Sequence, residues 1–287
     1  MTITRFAPSP TGRLHLGHAY SALISHDFAR VRGGDFLLRI EDIDAGRARP
    51  EHVSGIIEDL AWLGLHYDGE PVFQSERLHI YQQALDRLRD AALIYPCFCT
   101  RAEIAAEIAA SASAPHGPDG PVYPGTCRQL SPSEREGRVK QEAHAWRIDM
   151  TEASRRTDAL IWTDHGRSIA ATPEIFGDVI LARKDAPTSY HLAVVIDDDA
   201  QGVTDVVRGK DLFDATHIHR LLQALLGLST PAYHHHALLT DAAGNRLAKR
   251  AGSPAIETLR AAGTNPTWLT GNLRQGRLPV GYRSDAA

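Results

Sequence analysis

The chain has 287 residues, of which 43% are hydrophobic and 23% charged, with a formal net charge of −4 at pH 7. This length suits one large or two smaller domains, and the acidic balance excludes a protein that holds nucleic acid through its overall charge. Three cysteines, no apolar N-terminal signal and no apolar run of about 18 residues predict a cytoplasmic protein without disulfides or membrane spans.

The first predicted element is a short strand over residues 3–7, which two prolines and a glycine separate from a helix. Apolar residues recur in that helix at three- and four-residue spacing until a glycine pair ends it. Its first turn carries His15, Gly17 and His18, and a helix N-terminus that follows a strand is a natural anion site. We interpret this stretch as a nucleotide-phosphate site, while a strand–turn–helix corner with incidental histidines stays open as the alternative.

A second strand over residues 35–42 has an apolar centre and ends in Glu41 and Asp42. Because parallel sheets bind ligands at the carboxyl ends of their strands, these carboxylates lie where site residues belong, unless they only cap the next loop. Helices are predicted from Pro50 to Gly64 and around residues 78–92. The alternation of strands and helices predicts an α/β fold with a doubly wound parallel sheet.

The next segment differs from the preceding one in amino-acid composition. A short alanine-rich helix begins at the capping-box pair Thr100 and Glu103, and residues 111–126 form a loop rich in Pro, Gly, Ser and Ala. Two strand patterns follow this loop. We interpret residues 97–180 as an insertion into the α/β domain.

The cysteines have the spacing of a zinc knuckle with a third ligand: Cys97, Cys99 and Cys127. Structural zinc takes four ligands in a tetrahedron, so a residue of another type has to complete the set. Three nearby residues are candidates, and the histidine is preferred on chemical grounds: Tyr123, His116 and Asp119. Three buried, reduced cysteines without a metal are the alternative.

The α/β pattern then resumes. Three apolar runs are predicted to be strands: residues 176–183, 190–196 and 203–208. The second run leads into three consecutive aspartates, and a helix is predicted over residues 214–226. The histidines at 234–236 would point to alternate faces of a strand, so one metal cannot easily use all three, and we treat them as structural. Short helices are predicted around Ile256 and Trp268.

Several ordered segments resemble signatures of the class I glutamyl-type aminoacyl-tRNA synthetases. The segments are Arg5-Phe6-Ala7-Pro8-Ser9-Pro10-Thr11-Gly12, Leu14-His15-Leu16-Gly17-His18, Leu38-Arg39-Ile40-Glu41-Asp42, residues 189–198 and residues 207–212. In that family the basic loop at residues 246–250 closes over ATP. Lys249 keeps the position of the lysine that contacts ATP, whereas Arg246 and Ala248 depart from the usual lysine and serine.

The resemblance implies a Rossmann-like doubly wound parallel sheet with an inserted zinc-binding α+β subdomain. The implied catalytic domain has two halves, residues 1–96 and 181–250. The insertion comprises residues 97–180, and a short basic segment comprises residues 251–287. The 37 residues after Arg250 (287 − 250) are too few for the helical anticodon-binding domain of glutamyl-tRNA synthetases. The chain is therefore expected to resemble the bacterial paralogues that activate glutamate with ATP and attach it to queuosine in the anticodon loop of tRNA(Asp).

Carried over position by position, the resemblance implies three groups of residues. The glutamate site would comprise Arg5, Phe6, Ala7, Pro8, Ser9, Glu41, Tyr190 and Arg208. The ATP site would comprise His15, Gly17, His18 and Lys249, with His15, His18 and Lys249 as catalytic residues. The zinc site would comprise Cys97, Cys99, Tyr123 and Cys127, so that Tyr123 replaces His116 on grounds of resemblance alone.

The implied cofactors are one structural Zn²⁺ per chain and Mg²⁺ with ATP. The implied partners are ATP, L-glutamate and queuosine-containing tRNA(Asp), and the protein is expected to be a monomer without membrane partners. Two alternatives stay open. One is a truncated glutamyl-tRNA synthetase that charges a tRNA 3′ end, and the other is a non-catalytic paralogue that binds tRNA or an amino acid.

Overall fold

In the computed structural model, the described residues are 1–110, 116–118, 120–241, 255–275 and 282–284. The strands are β1 (Ile3–Phe6), β2 (Asp35–Ile40), β3 (Val72–Phe73), β4 (Ile94–Cys97), β5 (His116–Gly117), β6 (Gly120–Pro121), β7 (Ala145–Ile148), β8 (Ile161–Asp164), β9 (Arg167–Ala170), β10 (Ile180–Ala182), β11 (Asp205–Gly209), β12 (Ala232–His236), β13 (Leu239–Asp241) and β14 (Tyr282–Ser284). The helices are α1 (Leu16–Val31), α2 (Pro50–Trp62), α3 (Leu78–Asp90), α4 (Arg101–Ala110), α5 (Pro132–Val139), α6 (Met150–Arg155), α7 (Tyr190–Ala200), α8 (Ala215–Leu226), α9 (Ile256–Ala261) and α10 (Pro266–Arg274).

The central feature is two sheets with parallel strand pairs that meet where β1 contacts β11. Strand β1 pairs in parallel with β2, and β2 pairs in parallel with β3. On the other side β1 contacts β11, where the Thr204 N–H donates to the Ile3 carbonyl at 3.0 Å. From there β11 pairs in parallel with β12, and β12 with β8, while β9 is an antiparallel edge. The predicted α/β fold with a parallel sheet is confirmed, and the carboxyl ends of β1, β2 and β11 meet at one edge.

The crossover from β1 to β2 runs through α1, as its apolar spacing predicts. Leu16, Ala19 and Leu23 of α1 are buried in one cluster with Phe36 of β2. Full burial of one such leucine contributes about 1.5–3 kcal/mol, so a Leu23→Ala change is expected to cost about 2–5 kcal/mol. The chain turns after α1 at Gly33, whose φ of +63° suits glycine.

A second core lies around α7, which packs against α3 and α8. The segment 190–196, predicted as a strand, is the first part of this helix, so that prediction was wrong. Every residue from Leu192 to Asp198 is buried. A helix buried on all sides shows no polar stripe, and its apolar run therefore has the same appearance in sequence as a buried strand.

The strand predicted over residues 176–183 is shorter than expected, because only Ile180–Ala182 is a strand and Pro173–Phe176 forms a 3₁₀ turn. The helices predicted from Pro50, around residues 78–92, over 214–226 and near Ile256 and Trp268 are confirmed as α2, α3, α8, α9 and α10. Across the described ranges, no helix combines the length and apolar character that a membrane crossing requires.

The segment 97–180, predicted as an insertion, contributes to three of the sheets in the described residues, one of which is the short antiparallel pair of β5 and β6. Its strand β7 pairs antiparallel with β4 and β10, which makes a separate three-stranded sheet. Its strand β8 instead pairs in parallel with β12, and β9 pairs antiparallel with β8 at the edge of that sheet. The predicted domain boundaries stay predictions, and so does the zinc-binding character of the segment.

Candidate active site

A cavity of about 320 Å³ lies at the carboxyl ends of β1, β2 and β11, beside the start of α1. Its lining includes all the residues predicted for glutamate and ATP that the structure describes: Arg5, Phe6, Ala7, Pro8, Ser9, His15, Gly17, His18, Glu41, Tyr190 and Arg208. Lys249 and the two departures from the family signature, Arg246 and Ala248, lie outside the described residues. The fold thus brings together segments that are far apart in the sequence.

The end of the cavity that was predicted to bind a nucleotide is formed by the first turn of α1. His15 is the N-cap, and its Nδ1 accepts the backbone N–H of Gly17 at 3.1 Å. In return, Nδ1 of His18 accepts the backbone N–H of His15 at 3.3 Å, and the two imidazole rings lie 3.7 Å apart. In this predicted anion site the backbone N–H of Gly17 is therefore already capped by a side chain.

The described chain on both sides of residues 242–254 lies beside this end of the cavity. Leu239 of β13 lines the cavity. Ala255 forms an isolated bridge with His15, and the Ile256 N–H donates to the Leu14 carbonyl at 2.8 Å. Leu239 and Ala255 therefore both lie near the first turn of α1, and Lys249 itself lies outside the described residues.

At the other end, Arg5 of β1 is neutralised by a carboxylate that sequence reasoning did not single out. The guanidinium is 5% exposed, and its Nε lies 2.9 Å from Oδ1 of Asp198 on α7. Arg39 of β2 binds the same carboxylate, with Nη2 at 2.7 Å. Burial alone would raise the pKa of Asp198, but the two arginines hold it below its ordinary value. Asp198 was missed because its helix was interpreted as a strand.

Arg208 lies at the end of β11 and is 4% exposed. Its Nη1 donates to the Tyr190 hydroxyl at 3.2 Å, which joins two residues predicted for the glutamate site. Its Nε donates to Nε2 of His235 at 3.1 Å, although the sequence indicated only a structural role for that histidine. The available signal was that residues 234–236 end a strand parallel to β11, at the ligand-binding edge of the sheet.

Glu41 directly follows β2, and its N–H donates to the Pro8 carbonyl at 3.0 Å. Burial raises the pKa of Glu41 to about 7, although Arg39 and Arg5 oppose the rise. A carboxylate in such a position can pair with an ammonium group, and its ionisation falls within the physiological pH range.

A second cavity of about 540 Å³ adjoins the first, and the two share Ser9, Glu41 and Tyr190. One of its walls comes from the segment 97–180, where the guanidinium of Arg147 lies 3.9 Å from the ring centre of Tyr123. Sequence reasoning did not single out Arg147. An arginine within an apolar strand pattern was the available signal.

The three cysteines come together, with their sulfur atoms all within 4.8 Å of one another. The Tyr123 hydroxyl lies 3.5 Å from Sγ of Cys97 and 3.4 Å from Sγ of Cys99. Three sulfur atoms and one oxygen around a common point fit the four-ligand geometry of structural zinc. Asp119 and the side chain of His116, the other two candidates, lie outside the described residues.

The pKa shifts within this cluster differ in direction. Burial alone would raise the pKa of the Cys127 thiol, but hydrogen bonds from Tyr123 and the Phe98 N–H outweigh it and lower that pKa, whereas the pKa values of Cys99 and Tyr123 are shifted upward. Burial raises the pKa of the Cys99 thiol to about 11, and it also raises the pKa of the Tyr123 phenol. Zinc takes the deprotonated forms of such ligands, so its binding would release protons.

Comparisons with known proteins agree with one another. The family described as tRNA synthetases class I (E and Q), catalytic domain, matches residues 1–281. The glutamyl-Q tRNA(Asp) synthetase of Rhodobacter capsulatus is 51% identical over 275 residues, which cover 92% of this chain and 96% of the relative. The protein of the same name from Symbiobacterium thermophilum is 43% identical, with 95% and 85% covered. The solved glutamate-tRNA synthetase of Elizabethkingia anophelis is similar with a TM-score of 0.73 and 30% identity, and the match covers 88% of this chain and 54% of that chain.

Proposed function

The chain belongs to the class I tRNA synthetases (E and Q), and we propose that it activates glutamate with ATP and transfers the glutamyl group to queuosine in tRNA(Asp). It is a ligase of the aminoacyl-tRNA synthetase class. One observation carries the proposal: two buried arginines, a carboxylate and two imidazoles converge on a single cavity. The name that the relatives share supports queuosine as the acceptor over a tRNA 3′ end.

The charges of the cavity match those of glutamate, which carries two carboxylates and one ammonium group. Arg5 and Arg208 offer cations to the carboxylates, and Glu41 offers its carboxylate to the ammonium group. Each charge-assisted hydrogen bond contributes roughly 1.5–3 kcal/mol. Phe6, Ala7, Pro8 and Ser9 also line the cavity.

Activation is an in-line attack of the glutamate α-carboxylate on the α-phosphorus of ATP. A new O–P bond forms, the bond to pyrophosphate breaks, and glutamyl-adenylate results. The protein contributes by positioning the reactants and stabilising charge, without a covalent protein intermediate. His15 and His18 line the phosphate end, and the place of Lys249 in the family signature supports its role as a cation for the phosphates. Bound Mg²⁺ would supply further neutralisation of the phosphates.

Transfer requires a hydroxyl group of the acceptor to reach the carbonyl carbon of the adenylate, with AMP as the leaving group. The second cavity supports this step because it opens directly onto Ser9, Glu41 and Tyr190 of the first. We assign the cyclopentenediol ring of queuosine to this cavity. The segment 97–180, which forms one of its walls, is then the acceptor-side subdomain.

The activation and transfer steps are tested with two assays on the purified chain. Glutamate-dependent ATP–pyrophosphate exchange is expected, and its absence with Mg²⁺ present would favour a non-catalytic paralogue. Glutamylation is then compared for tRNA(Asp) with queuosine, without queuosine, and after periodate oxidation, which destroys both the queuosine diol and the 3′-terminal ribose diol and should abolish acceptance at either site. Acceptance of glutamate by queuosine-free tRNA(Asp) would contradict the acceptor and favour a synthetase that charges the 3′ end.

We further propose one structural Zn²⁺ held by Cys97, Cys99, Tyr123 and Cys127. Metal analysis of protein purified without added metal is expected to give about one zinc per chain. A Tyr123→Phe variant keeps the packing but loses the oxygen ligand, and it should lose zinc to a chelator at a lower concentration than the parent chain. Three titratable thiols and substoichiometric zinc in the parent chain would refute the site. The monomeric state and the cytoplasmic location stay predictions.

A further inference from the structure

Arg208 is a buried cation whose hydrogen-bond partners are all neutral. The acceptors are Nε2 of His235 at 3.1 Å, the Tyr190 hydroxyl at 3.2 Å, Nδ1 of His219 at 3.3 Å, the Leu212 carbonyl at 3.0 Å and the Thr216 hydroxyl at 2.7 Å. No carboxylate within the described ranges forms an ion pair with its guanidinium. Burial of a charge without a counter-charge is costly, so this arrangement needs a source of negative charge from outside the chain.

The proton position on His235 follows from its two partners. A guanidinium can only donate, so Nε2 of His235 must accept and the ring proton must sit on Nδ1. That nitrogen lies 2.9 Å from Oδ1 of Asp164, which accepts its hydrogen bond. Burial, together with the charge of Arg208, lowers the pKa of His235 to about 4 and keeps the ring neutral.

His219 is held in a neutral form by the same logic. Its Nδ1 faces Arg208 and accepts, so its proton is on Nε2, which lies 3.3 Å from Nδ1 of His191. Burial, and then the charge of Arg208, lowers the pKa of His219 well below its ordinary value. The two rings therefore orient the guanidinium from different sides and contribute no charge of their own.

We propose that His219, His235 and Thr216 are positioning residues that hold the Arg208 guanidinium in place without neutralising it, so that a carboxylate of the bound amino acid supplies the counter-charge. This inference rests on the proposed function, because the ligand is taken to be glutamate. An acidic side chain at one of these positions would form an internal ion pair with Arg208 and compete with the ligand.

The test compares two variants of the same size that differ in charge, H219E and H219Q. Calorimetry of the full chain measures the Kd for L-glutamate, and pyrophosphate exchange measures the KM for ATP. The Kd for L-glutamate is expected to be at least about tenfold weaker for H219E than for H219Q. The KM for ATP should be alike in the two variants, since a general structural defect would affect both ligands.

A second pair, T216D and T216N, repeats the comparison from the hydroxyl side of the guanidinium and serves if H219E does not fold. Equal affinities for L-glutamate within a folded pair overturn the inference. So does failure of both acidic variants to fold where H219Q and T216N fold, because an acidic group here should gain the buried cation as a partner. If the parent chain itself does not bind L-glutamate, the proposed function fails and the inference fails with it.

Discussion

Arg5 and Arg208 are two arginines of one cavity with opposite electrostatic surroundings. Both are almost completely buried and both end parallel strands at the same edge of the sheet. Arg5 is neutralised by Asp198, which also binds Arg39, whereas Arg208 has only neutral acceptors among the described residues. Arginine therefore belongs to an internal ion-pair network at position 5, whereas at position 208 it is a cation without an ion-pair partner among the described residues.

The difference shows how the chain separates stability from binding. The network around Asp198 continues to Asp197, which accepts hydrogen bonds from Gln74, Arg77 and Tyr81. It joins β1 and β2 to α7 and to the start of α3, so it holds together the walls of the cavity. Loss of a partner there should affect folding, whereas loss of Arg208 should mainly affect the ligand.

The largest effect is expected from Asp198→Asn, which leaves buried Arg5 without its counter-charge and leaves Arg39 with only the more distant Asp197, at 3.9 Å. Breaking such a buried pair costs about 3–5 kcal/mol, to be measured as the free energy of unfolding in urea near pH 7. The folded pKa of Asp198 is lowered, so its contribution is present above the unfolded pKa and is lost as the pH falls through the folded pKa. Asp185→Asn, at an exposed ion pair, is the control and should leave the unfolding midpoint unchanged. Equal free energies of unfolding for the two variants would contradict the stabilising role of Asp198.

Arg208→Gln should reverse this pattern. The expected loss is roughly 10- to 100-fold in the Kd for L-glutamate, because one or more charge-assisted hydrogen bonds disappear. The free energy of unfolding should fall less than in Arg5→Gln, since no buried carboxylate loses its partner. Calorimetry and urea unfolding on both variants check the comparison, and a larger loss of stability in Arg208→Gln would break it.

Glu41, the carboxylate proposed for the ammonium group, predicts a pH dependence of glutamate binding. Its raised pKa of about 7 means that the carboxyl is protonated below that pH and attracts an ammonium group only above it. The KM for L-glutamate should therefore fall as the pH rises through 7, by roughly tenfold for each unit covered on the acid side. Glu41→Gln should bind L-glutamate weakly at all these pH values, and a parent profile as flat as that of the variant would contradict the role.

The smallest effect is expected from Asp164→Asn. Asp164 contacts Arg208 only through His235. The amide oxygen can still accept the Nδ1–H of His235, so the ring keeps its proton position and its contact with Arg208. The Kd for L-glutamate should weaken by about threefold or less. Asp164→Leu removes the acceptor and should weaken binding more; equal effects of the two substitutions would show that the proton position does not matter.

Much of the fold and of the cavity could be predicted from sequence because the signals are local. The stretch from Arg5 to His18 carries a strand, a turn and a helix start in a row, and the structure places its residues around one cavity as expected. The helix at residues 190–196 could not be predicted, because complete burial removes the polar stripe that distinguishes a helix. The role of Asp198, which lies in that helix, was therefore not predicted either.

The sequence by itself determined the order of elements, the signature residues of the cavity and the three cysteines of the cluster, since each depends on short-range spacing or residue chemistry. Only the tertiary structure decided which charges meet. Whether an arginine is neutralised depends on side chains from distant elements, such as Asp198 for Arg5 and His235 for Arg208. Electrostatic energy depends on distance and burial in three dimensions, and neither can be read from a linear pattern.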